Sequence, residues 1–205
     1  PQGGKKLIPQ DAGKYAERFP NVAPEQRRIF AGMLAGLDAG VGTVLTKLRD
    51  LKIEENTLVF FFSDNGGPTW QTTSRNDPLR GCKGDVLEGG IREPFIVQWK
   101  GRLPAGKTDD RPIISLDILP TALAAAGQTA PAELEGVNLL PYIADGNTNS
   151  PHAALFWRYG SKHAVRMGDW KLTDQGDGAR LYNIAADIGE KTDLAGTDPA
   201  RLKEL

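Results

Sequence analysis

The chain has 205 residues, 40% of them hydrophobic and 25% charged, with a formal net charge of −1; this composition describes an ordinary folded protein and excludes a disordered or fibrous one. Lys and Arg are scattered along it, so it carries no electrostatic footprint for nucleic acid or an anionic membrane. Its single cysteine, Cys82, excludes an internal disulfide, and with two histidines, His152 and His163, any metal is expected to be a hard cation held by oxygen.

The opening stretch, PQGGKKLIPQ, has neither an initiator Met nor the apolar core of a signal peptide, and reads as the interior of something longer. Residues 1 to 23 are rich in Pro, Gly and Lys and read as a surface segment. A helix is then predicted. Pro24 suits a first helical position, Glu25 complements the positive end, and Ile29, Met33, Leu37, Val41, Val44, Leu48 and Leu51 recur at helical spacing. Gly40 and Gly42 lower helix propensity and are expected to mark close packing against a neighbour. Strictly apolar runs such as Leu58 to Phe62 are too short to span a bilayer.

Thr57 to Phe62 (TLVFFF) lacks polar alternation, the pattern of a strand buried on both faces in a parallel sheet. Helix, loop and buried strand together predict an α/β layer architecture, in which ligands bind beyond the carboxyl ends of strands. Residues 63 to 92 form a long polar, Gly-rich stretch, a length of loop that is usually functional. A strand resumes at Pro94 to Trp99. A helix follows, with Asp117 as its expected cap, Pro120 in its first turn and Gly127 at its end. The linker composition of Gly146 to Pro151 divides the chain into residues 1–148, an α/β unit, and 149–205, a small α+β subdomain with a short antiparallel sheet and a terminal helix.

Two places carry candidate chemistry. Asp64 and Asn65, followed by two glycines, read first as a plain turn and second as oxygen ligands of calcium or magnesium at a strand end; an EF-hand is excluded because its ligand spacing is absent. In Leu79 to Phe95, Arg80 and Lys83 lie among Gly81, Gly84, Gly89 and Gly90, so Lys83 is a point charge suited to an oxyanion. The bland alternative there is a solvated loop with an exposed Glu88–Arg92 ion pair. Beside Lys83 and near Arg80 the Cys82 thiolate is expected to be favoured. His152 and His163 read as packing or surface residues, and Ser63 lacks a nucleophile elbow.

The stretches MLAGLDAGVGTVLTKLRD, NTLVFFFSDNGG, NDPLRGCKGDVLEGGIREPFIVQWKGRLPAG, SLDILPTALAAAG, LEGVNLLPYI and AVRMGDWKL, in this order, resemble the type I, formylglycine-dependent sulfatases of the alkaline-phosphatase-like superfamily. PQDAGKYAERFP also resembles the segment after that family's H-x-P motif. The resemblance covers most of residues 15 to 195 and is to the C-terminal part of an arylsulfatase-like protein. It implies that Asp64 and Asn65 bind calcium, with magnesium the lesser choice, and that Lys83 contacts the sulfate group as a catalytic and substrate-binding residue. It implies part of an alkaline-phosphatase-like sheet flanked by helices.

The residues after Cys82 do not match the formylglycine motif C-x-P/A-x-R, and the family's N-terminal Asp pair, upstream Lys and H-x-P histidine are absent. The resemblance therefore implies a sulfuric ester hydrolase whose formylglycine nucleophile lies upstream of this chain, the fragment alone being inactive. A phosphodiesterase or phosphonate hydrolase of the same superfamily, or a non-catalytic sulfate- or sulfated-glycan-binding fragment, are the alternatives. Expected partners are a small or carbohydrate sulfate ester and the missing N-terminal half or a second copy, with no nucleic acid and no membrane span. Trp70, Asn76 and Arg80 are candidates for the pocket rim. Family habit suggests periplasm, lysosome or exterior.

Overall fold

The computed structural model describes residues 12–144 and 146–205. Expectations for residues 1 to 11 lie outside these described residues. Within the N-terminal segment, helix α1 (Ala12–Ala16) packs on helix α2 (Glu25–Asp50). The contact is made at Gly32, where a Cβ would come within 2.7 Å of the Ala16 backbone nitrogen. Gly40 and Gly42 face nothing within 4 Å among the described residues, so the neighbour expected from them is not found there. Leu34, Leu37 and Val44 on α2 are correspondingly exposed. By length and composition alone α2 would suffice to cross a membrane, although Gly, Thr and charged residues break it into short apolar runs.

Strand β1 (Val59–Phe62) is antiparallel to β2 (Phe95–Gln98), with Phe60 opposite Val97 and Phe62 opposite Phe95. Phe61 and Phe62 are 41% and 39% exposed. The expectation of a strand buried on both faces with a parallel partner is thus not met among the described residues. An unbroken apolar run reports burial in some context but carries no direction for its neighbour. The Phe95 ring lies 5.9 Å from Phe60 and 5.6 Å from Phe62, and holds the pair together.

A short helix, α3 (Glu88–Ile91), precedes β2, and after β2 a 3-10 turn at Ser115–Asp117 leads into α4 (Ile118–Ala125), with Pro120 buried in its first turn and Gly127 at φ 70 ending it. Asp117 stands at the N-cap position of α4 as expected, but its side chain makes no capping hydrogen bond there. Its fully buried carboxylate accepts from the Ile114 and Val137 amides at 2.9 and 2.8 Å, with His152 Nε2 at 2.9 Å from both oxygens. It ties three segments together. His152 accordingly has a packing role, while His163 is exposed.

After the short helix α5 (Leu140–Ile143), strands β3 (Leu155–Tyr159), β4 (Lys162–Met167), β5 (Trp170–Asp174) and β6 (Ala179–Asn183) form an antiparallel meander. Its first two hairpins turn on Gly160 at φ 61 and Gly168 at φ 56, left-handed conformations that a two-residue loop needs at its first position. Helix α6 (Pro199–Glu204) begins with Pro199, and Asp198 caps it by accepting from the Arg201 amide at 2.9 Å. Most of the buried apolar residues belong to this meander and its flanks, Leu155, Ala164, Val165, Leu181, Tyr182 and Ile184, or to the Gly-rich stretch, Val86 and Leu87; Trp99 and Leu139 are buried outside them. Each buried Val, Leu or Ile side chain contributes about 1.5–3 kcal/mol.

Candidate active-site loops

The two stretches with candidate chemistry are folded against each other. Beyond the end of β1 the Gly66 amide donates to the Gly90 carbonyl at 3.1 Å, and a Cβ on Gly66 would sit 1.8 Å from the Gly89 oxygen. Only glycine permits this approach. Asn76 joins the loops from the side: its amide nitrogen donates to the Gly67 and Gly81 carbonyls at 3.1 and 3.0 Å, and its oxygen accepts from the Gly67 amide. Asn76 is therefore a staple between the loops, and the rim role expected for it is not supported. Trp70, 65% exposed, remains open to solvent.

Asp64 is exposed and lines a cleft of about 970 Å³ together with Arg92, Glu93, Trp157 and Arg166; Lys83 does not line it. Asn65 is half-buried and spends its amide nitrogen on the Gly66 carbonyl at 3.1 Å, which leaves the oxygen out of that bond. Burial pushes the Glu93 carboxyl up from its ordinary value, against a hydrogen bond with Ser63, and the negative charge of Asp64 adds to the rise. Among the described residues no three or more His, Cys, Asp or Glu side chains gather closely enough to hold a metal ion. Asp64 and Asn65 thus fit part of an oxygen shell, two donors where calcium takes about six to eight.

Lys83 is exposed at the tip of a tightly folded loop, with Gly81 at φ 92 and Gly84 at φ 88 on either side. Its neighbours are all engaged. Arg80 Nη1 donates to the Glu190 carbonyl at 2.9 Å, so Arg80 is anchored to the C-terminal segment instead of standing free at a rim. The Cys82 amide donates to Asp85 Oδ2 at 3.0 Å. The Cys82 thiol is pushed up by burial; a hydrogen bond with Thr69 opposes this, Asp85 adds to the rise, and Lys162 opposes it least. The thiolate favoured in sequence by Lys83 and Arg80 is therefore disfavoured: Arg80 is turned away and an acid has taken the near position.

Asp85 feels burial as its largest influence, which would raise its carboxyl. Lys162 and the Cys82 amide outweigh it and hold the carboxyl below its ordinary value near 3.8. A carboxyl lowered in the folded state stabilises fully above the ordinary value and is lost as pH falls through the folded one. Thermal stability of the wild type is therefore expected to drop on the acid side of pH 3.8 more steeply than that of Asp85→Asn, measured by melting curves across pH 2 to 6. Parallel acid limbs would contradict this.

Below the loop lies a charged cluster that the sequence reading missed. Lys171, fully buried, donates to Glu88 Oε1 at 2.8 Å and lies 2.9 Å from Glu190 Oε1, the second contact lacking the angle of a hydrogen bond. Arg92 and Arg166 approach Glu88 Oε2 at 3.5 and 3.9 Å. The Glu88–Arg92 pair is thus not the solvated surface pair that its spacing suggests, because Glu88 is buried. The Glu190 carboxyl is raised by burial, with Lys171 opposing.

Two family models match the chain: Sulfatase over residues 6–128, and N-sulphoglucosamine sulphohydrolase, C-terminal, over residues 83–204. Human arylsulfatase A is 38% identical over 209 residues, covering 96% of this chain and 40% of that protein. N-acetylgalactosamine-6-sulfatase of Canis lupus familiaris is 36% identical over 163 residues, covering 77% of this chain and 31% of that protein. The crystal structure of Ps i-CgsB in complex with k-i-k-neocarrahexaose superposes with a TM-score of 0.86 at 33% identity, covering 97% of this chain and 46% of that one. The chain belongs to the sulfatase family, and its mixture of helices and sheets is part of the alkaline-phosphatase-like α/β fold. It spans 31% to 40% of the length of these two curated relatives.

Proposed function

We propose that this chain is the C-terminal part of a sulfuric ester hydrolase, in which Lys83 binds the sulfate group and Asp64 and Asn65 supply two of the oxygen ligands of a calcium ion. The observation that carries the reading is the packing of the β1 end onto the Gly-rich loop, with Gly66 bonded to Gly90 and Asn76 to both sides. On this reading the cation ligands and the anion-binding lysine belong to two loops packed on each other. Calcium, when bound, would draw negative charge from the sulfuryl oxygens. Lys83 would offset more of that charge from its exposed tip, and the glycines beside it let substrate approach the backbone.

The formylglycine nucleophile and the remaining calcium ligands would come from residues upstream of this chain in the full-length protein. The relatives' names support aryl and sugar sulfates as the substrate class. The exposed Phe61, Phe62 and Ile96 on the β1–β2 pair, with Leu34, Leu37 and Val44 on α2, would pack against that upstream part, in line with the fraction of its relatives that the chain spans. On this reading α2 flanks a sheet and crosses no membrane, residues 149–205 are a subdomain of the same enzyme, and the compartment is periplasm, lysosome or exterior. The fragment alone would be inactive.

The test of the metal assignment is elemental analysis of the full-length protein after dialysis. Wild type is expected to retain calcium in stoichiometric amount and Asp64→Ala to lose most of it, with aryl sulfate hydrolysis falling in parallel. Equal calcium in both proteins would remove Asp64 from the site.

A further inference from the structure

The Lys83 loop is closed from within by the Asp85 amide, which donates to the Cys82 carbonyl at 2.9 Å, and by the Gly89 amide, which donates to the Arg80 carbonyl at 2.7 Å. Gly81 and Gly84 flank its tip in left-handed conformations, at φ 92 and φ 88, and glycine brings the greatest backbone freedom of any residue. Grips from outside the loop add to these bonds. Lys162, the first residue of β4, donates from Nζ to the Gly84 carbonyl at 2.9 Å and to Asp85 Oδ1 at 2.6 Å, the two residues that follow Lys83. The Tyr159 ring, across the same hairpin, lies 3.6 Å from where a Gly84 Cβ would be.

Glu190 holds the two ends of the loop at once. Its carbonyl accepts from Arg80 Nη1 at 2.9 Å, and its Oε2 accepts from the Glu88 amide at 2.7 Å. Its backbone is left-handed at φ 50, which a non-glycine residue keeps only where its surroundings over-determine it. Here the surroundings are Lys171 against Oε1 and complete burial.

We propose that Lys162 and Glu190 are positioning residues that set where Lys83 presents its ammonium, by gripping the loop beside its tip and at both its ends. This rests on the reading of Lys83 as the sulfate-binding residue. The C-terminal meander is then part of the recognition apparatus, although none of its residues need touch the sulfate. Lys162 is the better probe, since it is partly exposed and its removal leaves no buried charge unpaired. Glu190 is fully buried, and its loss would disturb the fold as well.

The experiment is a double-mutant cycle read as affinity of the full-length protein for inorganic sulfate, with melting temperature as control. Loss of two charge-assisted hydrogen bonds beside the tip is expected to weaken sulfate binding about tenfold in Lys162→Met. In the Lys83→Ala background the same change is expected to alter it less than about twofold, because the residue acted upon is gone. Lys162→Arg, which keeps a cation at that place, is expected to recover most of the affinity. Equal weakening in both backgrounds would overturn the positioning role while leaving Lys83 as the sulfate ligand. A Lys83→Ala protein that binds sulfate as wild type does, or a wild type that binds none, would overturn the reading of Lys83 and this inference with it.

Discussion

Replacement of Lys83 by alanine in the full-length protein is expected to lower kcat/KM for an aryl sulfate by about 10²- to 10³-fold, the usual loss when one preorganised donor to a developing anion is removed. The geometry explains why no neighbour should compensate. Arg80 is bonded to the Glu190 carbonyl, Lys162 to Gly84 and Asp85, and Lys171 lies buried between two glutamates. Among the described residues, no carboxylate forms an ion pair with Lys83, whose ammonium faces solvent. Arginine at this position should recover only part of the loss, because a planar fork does not replace a compact ammonium as a point charge for an oxyanion. A loss below about threefold on steady-state kinetics would show that Lys83 is a surface lysine only.

The second large effect concerns stability. Lys171→Met would leave Glu88 and Glu190 buried side by side with only the more distant Arg92 and Arg166 to balance them. Breaking a buried ion cluster by removing one partner costs about 3–5 kcal/mol, enough to consume a large part of a domain's stability. The pH dependence has a definite sign. Glu190 already has a raised carboxyl, through burial first and against the pull of Lys171. A raised carboxyl stabilises the fold below its ordinary value and loses that contribution as pH rises through the folded one. Without Lys171 this loss should grow, so Lys171→Met is expected to be closer to wild type at acid pH than at neutral pH in denaturant titrations. Lys171→Met/Glu190→Gln should recover part of the deficit. A single variant with wild-type stability at neutral pH would contradict the account.

The parts of the site that sequence made legible are those whose logic is local. An apolar run stopped by Ser63-Asp64-Asn65-Gly66-Gly67 marks a strand end with oxygen donors, and a lysine among glycines marks a loop tip. The resemblance to sulfatases suggested the roles proposed above where local pattern alone could not choose between a turn and a ligand. The supports were not legible, because their partners are distant in sequence: 83 residues separate Lys171 from Glu88, and 102 separate Glu190 from it. Lys171 within Trp170-Lys171-Leu172-Thr173 has the alternation of a half-exposed strand. Here the face carrying Lys171 and Thr173 is the buried one, because Glu88 and Glu190 meet it there. The antiparallel pairing of β1 was hidden for a different reason: strand composition gives no pairing direction.

Cys82 shows the same limit from the other side. Sequence neighbours Lys83 and Arg80 would favour its thiolate, yet the fold sends Arg80 to Glu190 and brings Asp85 to the sulfur at 3.6 Å. Charge adjacency along a chain predicts a microenvironment only when the side chains stay together.

The most direct measurement is the rate of hydrolysis of an aryl sulfate and of the matching aryl phosphate diester by the full-length protein, side by side, with Lys83→Ala as the control. Preference for the sulfate ester, lost in the variant, is the result predicted here. Preference for the phosphate diester, or hydrolysis of neither with sulfate still bound, would contradict a sulfatase site on this chain.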